Sequence, residues 1–122
     1  MLRSLRKEMK TMLNVSENGS ISLTRGDTAR FNVSIKNGIT LEDYEIQPND
    51  VLVMTIKKKV KDKEPLIQKT ITGSSIFHIL PTDTQPLDFG RYVYDVQITT
   101  SNSDVYTVIG PCSFEVMKEV TY

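Results

Sequence analysis

The sequence predicts an all-β fold: an Ig-like antiparallel β-sandwich of seven or eight strands. Three observations predict it. Val (11), Ile (11) and Thr (13) are abundant, while Ala occurs once, at Ala29. β-branched side chains are stiff at χ1 and suit a pleated surface, whereas Ala is the best helix former. Apolar and polar residues alternate with period two through several short segments, and turn signals recur at the spacing of a small sandwich. A small jelly roll or barrel is the alternative way to close the same strands. The 122 residues suffice for one domain with a hydrophobic core.

Residues 1–11 stand apart. Arg3, Arg6, Lys7 and Lys10 against Glu8 give a net charge of +3. Leu2, Leu5, Met9 and Met12 fall at roughly helical spacing, which allows a short amphipathic helix. An unstructured terminus is the simpler reading. Codons for Arg6-Lys7-Glu8 can resemble a ribosome-binding site, so translation starting at Met9 or Met12 rather than Met1 is a further expectation. Residues 1–12 are thus read as a disordered or misassigned extension, and 13–122 as a single domain.

From Ser20 the period becomes two. Ile21 and Leu23 alternate with Ser22 and Thr24, and Arg25-Gly26-Asp27 reads as a turn. Phe31, Val33 and Ile35 alternate with polar neighbours as a half-buried strand, closed by Asn37-Gly38. Residues 39–50 form a polar connection anchored by Tyr44 and Ile46. Residues 51–57 suit a central strand with Leu52, Met54 and Ile56 inward. Residues 58–65 make a charged hairpin tip, and residues 66–72 return with Ile67 and Ile71 on one face. The strand over 75–80 has two possible parities, Ile76/His78/Leu80 or Phe77/Ile79 inward. Residues 81–89 form a polar corner. Tyr92, Tyr94, Val96 and Ile98 then share one face of the cleanest strand. After the turn at 101–104, residues 105–109 pair back as a hairpin. Gly110-Pro111 implies a bulge or a change of sheet before the last strand over 113–116.

Residues 88–94 have the form D-x-G-x-Y-x-Y. In Ig domains a tyrosine corner places a Tyr at the start of strand F, two residues before the second core Cys. Asp88, Gly90 and Tyr92 are the expected structural corner, with Tyr94 in the Cys position. The absence of Trp and of a second Cys excludes an antibody-type domain.

Few residues invite chemistry. Lys57, Lys58, Lys59, Lys61 and Lys63, with Asp62, give a local +4 and a candidate partner-contact patch. Lysines at an exposed tip also guard edge strands against pairing, and no interleaved aromatics suit nucleic acid. Arg25-Gly26-Asp27 is the integrin tripeptide but also an ordinary turn. Cys112 and His78 are the sole thiol and imidazole, too few for a zinc site and without local support for a nucleophilic pair. Asp83, Asp88 and Asp95 sit at turns or on a strand, with no long loop to build a catalytic cleft. No phosphate-binding glycine loop, HExxH or GxSxG occurs. These residues predict no enzyme, no cofactor and no metal. The sequons at Asn14, Asn18 and Asn32 read as chance, since no signal peptide is recognisable and a lone Cys suits a reducing compartment. No apolar run is long enough to span a membrane.

The order of several segments resembles small β-domains of tail and baseplate modules in phages and prophages of Gram-positive bacteria. The segments are Ile21 to Thr28 with Phe31, Asn49 to Leu52 running into Ile56 to Lys58, and Leu66 to Lys69. Leu80 to Thr84, Leu87 through Gly90, Tyr92 and Tyr94 to Gln97, and the stretch 105–120 complete the set. The chain is similar to the N-terminal Ig-like domain of upper baseplate proteins, which attaches a receptor-binding assembly to the virion. That resemblance implies a non-enzymatic structural or assembly protein acting by protein–protein contact. Its expected partners are other tail or baseplate proteins, with a homo-oligomer as an option and neither nucleic acid nor membrane. The expected location is the host bacterial cytoplasm during assembly, then the virion. The alternative function is a carbohydrate-binding module for cell-wall polysaccharide, which exposed Tyr92, Tyr94 or Tyr106 would favour.

The formal net charge of zero conceals a polarity. Outside residues 1–11 and 57–63 the chain holds 6 basic and 13 acidic residues, a net of −7. An acidic body with one basic tip suits contacts between subunits.

Overall fold

A computed structural model describes residues 5–11, 14–15, 19–37, 40 and 42–118. Among them strand is the predominant structure, as the β-branched composition leads one to expect, with one short helix. Strands β1 (Leu5–Thr11), β4 (Ala29–Asn37) and β7 (Ile76–Ile79) form a three-stranded sheet in the order β1-β4-β7. Strands β2 (Asn14–Val15), β3 (Ile21–Thr24), β9 (Val105–Met117), β8 (Gly90–Thr99), β5 (Val51–Lys57) and β6 (Ile67–Thr72) form a second sheet in that order.

Period-two alternation decides which side chains turn into the core. Phe31, Val33 and Ile35 of β4 are buried, as are Leu52, Met54 and Ile56 of β5 and Tyr92, Tyr94, Val96 and Ile98 of β8. With Ile21, Leu23, Phe77, Ile79 and Phe114 they belong to one core drawn from both sheets. The parity of β7 is settled in favour of Phe77 and Ile79, and Ile76 and His78 face outward. Phe77 stacks on its cross-strand partner Phe31, with ring centroids 5.6 Å apart.

Four expectations need correction. First, residues 5–11 are neither disordered nor helical; they pair one-to-one with β4, from Leu5↔Asn37 to Thr11↔Phe31. The open edge of β4 carries backbone donors and acceptors that any extended segment can satisfy, whatever its side-chain pattern. Met1 and Met12, two of the three candidate start sites, lie outside the described residues.

Second, the sheets are not wholly antiparallel. β3 runs parallel to β9, from Ile21↔Phe114 to Thr24↔Met117, which the long intervening chain permits. Third, residues 105–109 and 113–116 are one strand, β9. Gly110-Pro111 is absorbed as a bulge: Tyr94 faces Cys112 while Val96 faces Ile109. A second irregularity between Val96 and Gln97 turns both Val108 and Ile109 into the core. Fourth, the corner at 81–89 contains a short helix, α1 (Pro81–Thr84), with Pro at its start, where the missing N–H costs nothing. Asp83 accepts the Leu80 N–H at 2.7 Å and pairs with Lys69 of β6 at 2.6 Å, tying the corner to the sheet edge.

Candidate interaction surface

The corner expected at Asp88, Gly90 and Tyr92 is built from a backbone bond. The Tyr92 hydroxyl donates to the Asp88 carbonyl at 2.7 Å. Gly90 between them has φ 139°, a conformation that side chains rarely adopt. Replacing Tyr92 by Phe removes the bond and keeps the ring; a stability loss of about 1 kcal/mol is expected in urea titration. Tyr94, two residues further along β8, is buried. Its hydroxyl donates to the Gly19 carbonyl, and its ring meets Phe114 edge-on.

The same corner holds the Arg25-Gly26-Asp27 turn. Gly26, at φ 85°, donates its N–H to the buried Thr84 hydroxyl at 2.8 Å. The Arg25 guanidinium lies 4.6 Å over the Phe89 ring. The tripeptide is thus tied into the packing of its own domain.

The five lysines lie at the β5–β6 hairpin. Lys57 ends β5 and is half-buried; Lys58, Lys59, Lys61 and Lys63 are exposed. The tip is ordered by Asp62, whose carboxylate accepts the Lys59 N–H at 3.0 Å, while its own N–H returns to the Lys59 carbonyl. Lys58 reaches back so that its Nζ sits 4.5 Å over the Tyr92 ring, which joins the hairpin to the corner.

The hairpin overhangs the outer face of the six-stranded sheet. Val60, Lys63 and Pro65 wall a groove of about 270 Å³, floored by Thr55, Asp95 and Gln97. Burial raises the Asp95 carboxyl above its ordinary value, and the charge of Lys57 opposes that rise. Beyond the groove the outer face is a flat array. Cross-strand rows run Gln68–Thr55–Asp95, then Thr70–Val53–Gln97–Thr107, then Thr72–Val51–Thr99–Val105. Asp95 carries the one formal charge in these three rows. Gln68 donates to the Thr55 hydroxyl at 3.2 Å along the first of them.

At the opposite end of β5 lies the last residue of the polar connection over 39–50. Asp50 is fully buried. One carboxylate oxygen accepts the Tyr44 hydroxyl at 2.6 Å and the Gln47 N–H at 2.8 Å. The other accepts the Ser101 N–H at 3.1 Å and the Ser101 hydroxyl at 3.4 Å. The connection before β5 is thereby fastened to the β8–β9 turn. In the sequence Asp50 follows Pro48-Asn49, a turn-forming pair that does not reveal burial.

Burial and the Asp50 carboxylate push the Tyr44 phenol up to about 12, and burial raises Tyr92 and Tyr94 as well. A raised folded-state value means the native protein holds these protons more tightly than the unfolded chain. The contribution is complete below the ordinary tyrosine value near 10 and fades as pH rises towards 12. Urea midpoints should therefore be level in this respect up to about pH 9 and fall towards pH 11, with tyrosinate absorbance appearing as the protein unfolds.

The remaining candidates are dispersed. His78 on β7 accepts a hydrogen bond from Arg30 Nε, while Cys112 lies on β9 in the other sheet. Among the described residues no three His, Cys, Asp or Glu side chains are grouped to hold a metal, and no helix is long and apolar enough to cross a membrane. Tyr92 and Tyr94 are buried and Tyr106 is half-buried, so the first two offer no stacking platform for a sugar. Compared with known proteins, the sequence matches no family model and no curated protein.

Proposed function

We propose that this chain is a non-enzymatic Ig-like domain of a phage or prophage tail or baseplate, acting by protein–protein contact. The sheet orders support the Ig-like part. β1-β4-β7 corresponds to strands A-B-E, and β9-β8-β5-β6 to G-F-C-C′, with the tyrosine corner at the start of the F strand. The outer face of the six-stranded sheet carries the contact part. Three of its rows, built mainly of Val, Thr and Gln, hold a single formal charge at Asp95, while Lys57, Arg91 and Glu115 lie in the rows nearer the hairpin, and depletion of charge marks the core of protein interfaces. Its strands are fixed by backbone ladders, so little ordering entropy is lost on docking. On this reading the partners are tail or baseplate proteins, met in the host bacterial cytoplasm and retained in the virion. The segment resemblance described above supplies that context.

The test is a pull-down of the full chain against individually expressed tail and baseplate proteins encoded beside its gene, run alongside a bacterial glycan array. Retention of a tail protein is expected. Glycan binding without a tail partner would replace this reading with the carbohydrate-binding one.

A further inference from the structure

We propose that the groove under the β5–β6 hairpin is a binding site for one uncharged sugar ring, held by Asp95, Thr55, Gln68 and Gln97. The proposal goes beyond the contact reading, which assigns the chain no small-molecule ligand.

The backbone ladders bring these four side chains together. Gln68 of β6, Thr55 of β5 and Asp95 of β8 stand opposite one another in one cross-strand row. Gln97 lies two residues beyond Asp95 and so on the same face of β8. Neighbouring strands are about 4.8 Å apart, so the row spans about 10 Å, a width that one ring with its hydroxyls bridges. All four residues line the groove, whose volume of about 270 Å³ lies at the lower end for ligand sites. The Asp95 carboxylate is half-buried there, and among the described residues no hydrogen bond or ion pair engages it. A carboxylate drawn out of water is costly without donors, so a ligand that supplies them is favoured. The Thr55 hydroxyl accepts from the Gln68 amide at 3.2 Å, which leaves its own hydrogen to donate. The Gln97 amide reaches Thr107 only at 3.5 Å, a weak contact that a ligand can replace.

The donor and acceptor types select the ligand class. Asp95 only accepts hydrogen bonds, and the ammonium groups of Lys57 and Lys63 only donate; the amides and the hydroxyl do both. An anion would meet Asp95 on the floor, and a cation would meet two lysines. A ligand of several hydroxyls satisfies both kinds of group, because each hydroxyl donates and accepts. Val60, Pro65, Val93 and Pro111 supply apolar walls for the C–H faces of a ring. Tyr94, the one aromatic residue at the groove, is buried, so no open platform adds stacking energy. Affinity in the millimolar range is therefore expected.

Amide NMR titration of the full chain tests the site. The probes are glucose, galactose, N-acetylglucosamine and the linear trimer of the last, with inorganic phosphate and a linear diamine as charged controls. At least one sugar should give saturable shifts at the backbone of Thr55 and Asp95 and at the side-chain amides of Gln68 and Gln97. Equal affinity for N-acetylglucosamine and its trimer supports a free sugar as the ligand; tighter binding of the trimer supports one unit of a glycan chain. Asp95→Asn should weaken binding about tenfold and Gln97→Ala roughly threefold or more. Thr72→Ala, exposed on β6 beyond the groove, should leave it unchanged. Circular dichroism verifies folding of each variant. No saturable shift from any sugar up to about 100 mM would overturn the proposal. So would saturation of the same residues by phosphate or the diamine, or sugar binding indifferent to both groove variants. A chain that binds no sugar yet retains a tail protein would overturn it while leaving the contact function standing; sugar binding together with a retained tail protein supports both.

Discussion

Phe77→Ala should destabilise the domain by about 3–5 kcal/mol, the usual cost of removing a buried aromatic ring. Phe77 has no exposed surface and stacks on Phe31 across the β4–β7 pair. β7 is only four residues long and pairs with β4 alone among the described strands, so it depends on its inward side chains for attachment. Truncation leaves a void beside Phe31 that the short strand has few other contacts to close. His78→Ala, one residue along and facing outward, should change stability by about 0.5 kcal/mol or less. Urea unfolding at constant m-value measures both. Equal effects at the two positions would overturn the assigned parity.

Asp50→Ala is expected to cost about 3 kcal/mol, from orphaned donors rather than lost apolar packing. Its carboxylate receives bonds from the Tyr44 hydroxyl, the Gln47 N–H and both polar groups of Ser101 that face it. Removing it leaves these donors pointing at an empty site and unfastens the 44–47 connection from the β8–β9 turn. Asp50→Asn keeps the shape and one oxygen, so it should fall between wild type and Ala. Amide exchange gives a local readout: Gln47 and Ser101 should lose protection in the Ala variant while the centre of β8 keeps it.

Strands with strict alternation were legible from sequence because burial on one face imposes period two. β4, β5 and β8 turn inward the residues that their patterns indicate. The strand at 76–79 was not, because Ile76, Phe77, His78 and Ile79 give both faces an apolar residue; only pairing with Phe31 decides. β1 was illegible for a different reason. Its place comes from the free edge of β4, and backbone pairing leaves no trace in side-chain order. The candidate surface was half legible. The lysines could be seen as a run, but not that Lys58 caps Tyr92 or that the hairpin walls a groove. Asp50 was hidden because burial of a carboxylate depends on donors from residue 101, far along the chain.

The parallel pairing of β3 with β9 also sets a timetable for synthesis. Ile21 and Phe114, which face each other in that ladder, are about 90 residues apart. At common elongation rates β3 waits roughly 5–20 s after leaving the ribosome before its neighbour exists. During that interval Ile21 and Leu23, both buried at the end, lack the strand that holds them in the sheet. The six-stranded sheet therefore cannot close until the last strand has been synthesised.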